Sequence, residues 1–533
     1  MEEPVCLILS MENGLLPNCC KGGLGILEAD KYFQAVDENY PLIFVSLFYP
    51  YKSKQVKVGE KVETKLEKTI ANKLVDTGVE INLNSRWYPA SLRIFEYPSN
   101  SRSKAFFLNP GLEENEKWLR ELEVYGERDL GQLLFTRYLL AEGAIKLVEE
   151  FCIYPKILHL EESDTALVVR PASRLEEKPK IVFTIHTPLP HGHKSFPLSL
   201  VQSLYGEIPR EFEAGIEREY LNLTKLASHY AERIYTVSKI QEEIEKRRQP
   251  YYAQKISSIS NAVHKRWINS HLQKLFDEEI DGWRQNVLKL REVHRIDDEK
   301  IEKALELARN DLEEKFEVWY ENGEIISNFT SIPPNSKIFT FAKRITEYKR
   351  QKDFLRIAKD FDSNSVCIFS GPLIGKYGEE FLEEFYEVVK NENPKVAYVL
   401  NFDENKAFHL VSGSDFWVNI PIAWAEASGT SHMKASLNGR PPISTSSGTV
   451  PEYIKHEYNG ILVQDSLEDL FEKIKLCERM GKENYLRLSV NCMASSPYIL
   501  MERMFEEFLN DYKNIAKVPV MISERVISAP AGI

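Results

Sequence analysis

Short apolar runs bounded by turn residues alternate with longer amphipathic stretches over most of this chain, the pattern that parallel-sheet α/β domains leave in sequence. A first set of runs, predicted as strands, covers residues 5–10, 42–47, 157–160, 181–185 and 234–237, with a clear helical period over 130–151. A second set covers 338–342, 366–370, 396–400, 416–420, 443–446 and 461–463. Between the sets, residues 267–320 are charge-rich and helical in period, and a loop with Pro333 and Pro334 follows. Residues 496–512 again have a helical period, while 513–533 carry no clear assignment.

Two sets imply two α/β domains, and 533 residues exceed what one ordinary core organises. Facing domains of this kind take ligands at the carboxyl ends of their strands, in the crevice between them, so chemistry is sought in the strand-end loops. Composition adds limits. With 43% hydrophobic and 28% charged residues the chain is that of a folded protein. Its 80 acidic and 68 basic side chains, net −12, repel nucleic acid and anionic membranes, so any anion it binds needs a local basic pocket. Seven scattered cysteines without CxxC spacing read as reduced thiols. The apolar run at residues 5–9 is short and follows acidic residues, unlike a signal peptide. No window reaches the ~20 apolar residues of a membrane span, so the expected compartment is the cytoplasm.

Three loops carry candidate chemistry. In NCCKGGLG, residues 18–25, Gly22, Gly23 and Gly25 can bring backbone N–H groups to an anion ahead of a helix. A tight turn with no ligand explains them equally. In FAKRITEYKRQ, residues 341–351, a strand ending at Ala342 delivers Lys343 and Arg344 into a turn. There Thr346 is expected to cap a helix beginning near Glu347, with Lys349 in its first turn. Arg344 can grip a phosphate with two parallel N–H bonds, while Lys349 and the helix N-terminus add positive charge. A solvated basic face is the alternative. In EASGTSHMKASLNG, residues 426–439, the segment from Ser428 to Ser431 opens a short helix that Gly439 ends. Lys434 sits within it among Met433, Ala435 and Leu437, either snorkelling to water or desolvated and ready to form a Schiff base with an aldehyde cofactor.

Taken together, these loops resemble the α-glucan phosphorylases, pyridoxal-phosphate enzymes that cleave glycogen and maltodextrins with inorganic phosphate. The resemblance extends to SMENG at residues 10–14, VYGER at 124–128, the acidic stretch at 160–167, HTPLP at 186–190 and the segment 260–267, in family order over most of the chain. It implies two facing Rossmann-like domains of the GT-B glycosyltransferase type, residues 1–260 and 261–533, with the active site in the interdomain cleft and the last helices crossing back to the first domain. It further implies pyridoxal 5′-phosphate on Lys434, with Lys343, Thr430, the Gly22 and Gly23 backbone and Trp267 around the cofactor. Arg344 and Lys349 would bind the substrate phosphate, helped by the Gly23 and Leu24 N–H groups. Asn261, Tyr348, Glu426, Ser428, Gly429 and His186 would surround the glucose unit. In this scheme the substrate phosphate protonates the glycosidic oxygen and attacks the same face of the sugar, retaining configuration, and the cofactor acts through its phosphate. The partners are an α-glucan and inorganic phosphate, and members of the family are usually homodimers.

Some positions depart from the family pattern. Asp164 stands where histidine is usual, Ala262 replaces a glycine, the segment before Trp267 is one residue short, and His432 lies beside the cofactor lysine. Beyond Gly439, residues 442–452 (PISTSSGTVPE) and 458–463 (YNGILV) look like a retaining nucleotide-sugar glycosyltransferase. Such enzymes carry a second glutamate eight positions after the first to accept hydrogen bonds from ribose. Here Glu426 is followed at that distance by Lys434, which only donates, and this favours the phosphorylase. A glucan-binding protein without catalysis would not need Arg344, Lys349 and Lys434 together. His186, His191 and His193 with Glu161, Glu162 or Asp164 fit no common metal-ligand spacing, so no metal is expected. Glu161, Glu162 and Asp164 also admit a glycosidase carboxylate pair, which leaves no sequence signature.

Overall fold

The computed structural model describes residues 6–59 and 61–517; Val5 of the first predicted run and residues 518–533 of the unassigned C-terminal stretch lie outside the described residues. The chain divides into two compact units. One takes the residues up to Ser53, Leu66–Ser260 and those from Met504 onward; the other takes Lys54–Lys65 and Asn261–Arg503.

The first unit is built on a nine-stranded sheet. Its order is Ile256–Ser258, Ala231–Thr236, Lys180–Ile185, Ile157–Glu161, Cys6–Leu9, Leu42–Leu47, Lys104–Asn109, Pro89–Tyr97 and Val75–Asn84. The first seven strands run parallel and the last two join antiparallel. Cys6–Leu9 and Leu42–Leu47 are buried at every position, because helices cover both faces of a parallel sheet and every side chain must be apolar or paired. Among the covering helices are Gly23–Asp37 and Leu130–Glu150, the latter capped by Asp129, whose side chain accepts the Gln132 N–H. The C-terminal helix Met501–Ala516 supplies Phe508 and Tyr512 to this unit's core.

The second unit carries a seven-stranded sheet in the order Ile325–Ser327, Lys395–Val399, Ser365–Ser370, Lys337–Ala342, Phe416–Asn419, Pro442–Thr445 and Ile461–Val463, parallel except for the first. Phe339, Phe341, Phe354, Phe369, Phe381 and Phe385 fill the core on one face. Parallel register sets the strand ends side by side: Ala342 pairs with Ser370, and Asn419 with Ser444. The loops that leave these ends therefore converge, and those after Ala342 and Asn419 carry two of the three stretches singled out by sequence. Within the second unit, ahead of its sheet in sequence, Asp298–Glu321 is a helix whose Ile301, Leu305, Ala308, Leu312, Phe316 and Trp319 form its buried stripe. Among the described residues no helix is long and apolar enough to cross a membrane.

Candidate active site

Lys337–Ala342 lies at the centre of the second sheet and releases Lys343 and Arg344 at its carboxyl end. The release is tightly guided. The Lys343 N–H donates to the Ser370 carbonyl at 2.9 Å and the Ile345 N–H to the Pro372 carbonyl at 2.9 Å. Gly371 lets the neighbouring loop pass, since a Cβ there would stand 1.9 Å from the Lys343 carbonyl oxygen and its φ is +132°. Gln351 closes the loop from the other side, donating its side-chain N–H to the Arg344 carbonyl at 2.7 Å.

The expected helix start is displaced. Glu347–Lys349 is a single 3-10 turn, Arg350 takes a left-handed φ of 67°, and the α-helix begins at Gln351. Thr346 makes no cap, and its hydroxyl is buried without a hydrogen-bond partner. Lys349 thus sits on a tight turn, outside the first turn of an α-helix, and the cations act by their own charges.

Lys343 is 7% exposed; its amine donates to the Asn419 side-chain oxygen, and that amide is itself oriented by a 2.7 Å bond to the Ser444 hydroxyl. Burial, and then the nearby Lys349 charge, push the Lys343 amine down to about 7, with Glu426 only partly offsetting them. Lys349 pairs with Glu426 at 2.6 Å and lies over the Tyr348 ring at 5.0 Å. Burial opposes the Glu426 charge, but Lys349 and Lys343 outweigh it and draw the carboxyl down to about 2. The same pair lifts Lys349 above the ordinary lysine range despite burial.

Ser431–Leu437 is the short helix that carries Lys434. Lys434 is 6% exposed, with its amine 3.9 Å from the centre of the Trp267 ring, itself buried. Asn438 ties this helix to the Trp267 segment: its side-chain N–H groups donate to the Trp267 and Lys434 carbonyls at 2.8 Å each, while its oxygen accepts the Asn269 N–H at 2.8 Å. Gly429 brings its backbone close to Lys343, as a Cβ there would lie 3.2 Å from the amine. Asn261 donates to the Ser428 carbonyl at 3.2 Å, and its own side-chain oxygen is buried without a partner. His432 is stacked on Tyr453 and bonded to the tyrosine hydroxyl at 2.7 Å; burial, then Lys343, push its imidazole down to about 3, so it is neutral.

The second unit therefore gathers Lys343, Arg344, Tyr348, Lys349, Glu426, Ser428, Gly429, Thr430, Lys434, Asn261 and Trp267 on its strand-end loops and the segment around Trp267. Gly22, Gly23, Leu24 and His186 belong to the first unit. There, Gly22 departs from its expected role: its N–H and that of Lys21 donate to one Glu12 carboxylate oxygen at 2.9 and 2.8 Å, so an internal anion already occupies them. Gly23 and Leu24 follow as the first residues of the helix Gly23–Asp37, and a Cβ on Gly23 would meet nothing within 4 Å.

His186 follows the strand Lys180–Ile185 and is bonded through Nε2 to Glu161 at 2.5 Å. Lys31 reaches the other Glu161 oxygen at 2.5 Å and Glu28 at 2.8 Å. Burial and Glu161 raise the Glu28 carboxyl to about 8, whereas Lys31, His159 and His186 overcome burial to hold Glu161 well below the carboxylate range. One lysine is thus matched to one ionised carboxylate. Asp164 is spent on a salt bridge to Arg137 at 2.6 Å, and His193 on Thr224 and Arg248. Among the described residues no group of three or more His, Cys, Asp and Glu is placed to hold a metal.

Sequence reading did not single out Asn419, Asn438, Gln351 or Glu12. Glu12 had a local signal, an acidic residue ten positions before a glycine loop. Asn419 and Asn438 had none, because their partners Lys343 and Trp267 are distant in sequence, whereas Gln351 folds back onto Arg344 within the stretch 341–351.

A family model described as glycosyl transferases group 1 matches residues 323–490. The chain is 28% identical to a maltodextrin phosphorylase of Thermococcus litoralis over 92% of its own length and 66% of the relative's. It is 24% identical to a glycogen phosphorylase of Aquifex aeolicus, over 78% of this chain and 70% of that one. An uncharacterized protein of Methanocaldococcus jannaschii is 24% identical over 91% of this chain and 95% of its own. The chain spans about two thirds of the length of the maltodextrin phosphorylase it matches.

Proposed function

We propose, from this kinship with maltodextrin and glycogen phosphorylases, that the chain is an α-1,4-glucan phosphorylase, releasing glucose 1-phosphate from a glycogen-like or maltodextrin substrate with retention of configuration. The observation that carries the reading is the buried Lys343 amine, held beside Lys349 and left short of counter-charge although Glu426 is near. Such a residue wants an anion.

The residues present fit a phosphorylated aromatic aldehyde. Lys434 offers a buried amine against the flat face of Trp267, Lys343 an under-compensated charge, and Asn261 an acceptor oxygen still to be satisfied. Lys434 would hold pyridoxal 5′-phosphate, with Lys343, Thr430 and Trp267 around it, and Gly22 retained only through its place in the loop. When bound, that cofactor supplies a phosphate group for acid–base exchange with the substrate phosphate.

In this reading Arg344 grips the substrate phosphate with paired N–H donors and Lys349 adds a second charge. As phosphate draws on Lys349, Glu426 is freed to accept from a glucose hydroxyl. Asn261, Ser428, Gly429 and Tyr348 complete the sugar contacts. The phosphate proton passes to the glycosidic oxygen as the bond from C1 to that oxygen breaks, and a phosphate oxygen forms the new bond to C1 on the same face.

The glycosyl transferases group 1 match also suits a nucleotide-sugar transferase, and Glu452 in the segment 442–452 keeps that second reading in play. The deciding experiment combines absorbance before and after borohydride reduction, peptide mapping of the modified lysine, and glucose 1-phosphate formation from maltoheptaose and phosphate. Cofactor on Lys434 with product formation supports the phosphorylase. Cofactor without product supports a glucan-binding relative. No cofactor after incubation with pyridoxal phosphate, with turnover of a sugar nucleotide, supports the transferase.

A further inference from the structure

Trp424 is 62% exposed, whereas Trp267, Trp283, Trp319 and Trp417 are buried and Trp87 and Trp118 half-buried. An indole left in water on a rigid mount is unusual, because it forgoes a large burial gain. The mount here is rigid. Two residues after Trp424 comes Glu426, fixed by Lys349 at 2.6 Å; on the other side the Ile422 N–H donates to the Tyr348 carbonyl at 2.9 Å, and the Thr445 hydroxyl to the Pro421 carbonyl at 2.7 Å. The Ala425 N–H folds back to the Ile422 carbonyl at 3.0 Å, so Trp424 tips a closed turn.

Beside it, a cavity of about 460 Å³ is walled largely by apolar groups, among them Ala423, Leu462 and Val463, with Thr445, Ser446 and Gln464 as polar neighbours, within the roughly 300–1,000 Å³ range of small-molecule sites. Its charges are internally settled. Asp465 pairs with Arg350, Asp469 accepts the Gln464 N–H at 2.6 Å, and Lys473 stands 3.4 Å from His456. Asp465 is thus answered by Arg350, and the Leu462 and Val463 wall beside Ser446 and Gln464 leaves a lining suited to a ligand with both apolar and hydroxyl faces.

We propose that Trp424 and this cavity form a carbohydrate subsite: the indole stacks on the apolar C–H face of a glucosyl ring, and the hydroxyl and amide groups of the cavity bind the ring hydroxyls of the same α-glucan chain. The identity of the sugar rests on the phosphorylase reading; the subsite itself does not. It would bind a glucosyl unit at the flank of the Glu426 loop, and so set which chain lengths are held.

The test is acrylamide quenching of tryptophan emission in the full chain, with Trp424→Phe identifying the exposed component, followed by kinetics. Expected is a readily quenched component, absent in W424F, that maltoheptaose protects and inorganic phosphate alone does not. Trp424→Ala raises the KM for maltoheptaose about tenfold, moves the phosphate KM less than about twofold, and Trp424→Tyr restores most of the loss. A quenched component indifferent to saturating maltoheptaose overturns the subsite, as does W424A with unchanged kinetics. Quenching that declines with protein concentration in the absence of sugar also overturns it, and assigns the indole to a second copy of the chain. Protection by maltoheptaose in a chain that performs no phosphorolysis keeps the subsite and removes the phosphorylase reading.

Discussion

Each unit buries a cluster of charges, and the two are balanced differently. In the first, Lys31 lies between Glu28 and Glu161, with one carboxylate ionised and the other raised to about 8, so the group is electrically closed without any visitor. In the second, the Lys349–Glu426 pair is also closed, but Lys343 beside it has been pushed down to about 7. Burying a charge is costly unless it is paired. A closed cluster therefore serves to place something, here the His186 ring, whereas an open one stores a demand for counter-charge that a ligand can satisfy. The same physics that makes the second cluster a poor source of stability makes it a good anion site.

The largest effect should come from Lys434→Ala, which removes the amine facing Trp267. Cofactor absorbance after reconstitution should vanish and glucose 1-phosphate formation fall below detection; retained absorbance would place the cofactor elsewhere. Next is a pair of stability measurements. Lys31→Met leaves Glu161 buried without its cation and should cost about 3–5 kcal/mol in denaturant unfolding, whereas Lys343→Met should cost less than about 1 kcal/mol or stabilise the cofactor-free chain. Equal losses in the two variants would erase the comparison. Arg344→Ala should keep the cofactor yet lose at least about 2 kcal/mol of transition-state stabilisation, read as a drop in kcat/KM for phosphate.

The smallest effect is a pH dependence. Because the Lys343 amine is depressed from 10.5 to about 7, the unfolded chain keeps that proton to higher pH than the folded one. Stability from this group therefore rises as pH climbs from about 7 towards 10.5. An anion favours the protonated amine, so the affinity for pyridoxal phosphate, whose phosphate Lys343 is proposed to contact, should fall as pH rises through about 7, with proton uptake on binding measurable by calorimetry in buffers of different ionisation enthalpy. Absence of proton uptake in the wild type, or its persistence in Lys343→Met, would detach the phosphate from this lysine.

What the sequence disclosed follows from how each segment is buried. The parallel strands are covered on both faces and so spell continuous apolar runs, and all six runs of the second set are strands. The antiparallel edge went unread: in Val75–Asn84 only Ile81 and Leu83 are buried, alternating with exposed polar residues, so it spells no continuous apolar run. The helix after Lys349 was misplaced by a few residues because Arg350 adopts a left-handed conformation that nothing in TEYKRQ announces. The candidate site was legible where one residue's chemistry is distinctive, as for Lys343, Arg344, Lys349 and Lys434. It was illegible where function depends on partners distant in sequence: Asn438 reaches back 171 positions to Trp267, and Asn419 reaches 76 positions to Lys343. Amides of this kind are common everywhere, and only the fold selects those that matter.

The Glu12 carboxylate, which takes the Lys21 and Gly22 N–H groups, gives the glycine loop a built-in template. The loop's curvature is thereby held by a side chain of the same chain, so the turn before the helix Gly23–Asp37 keeps its shape without any ligand.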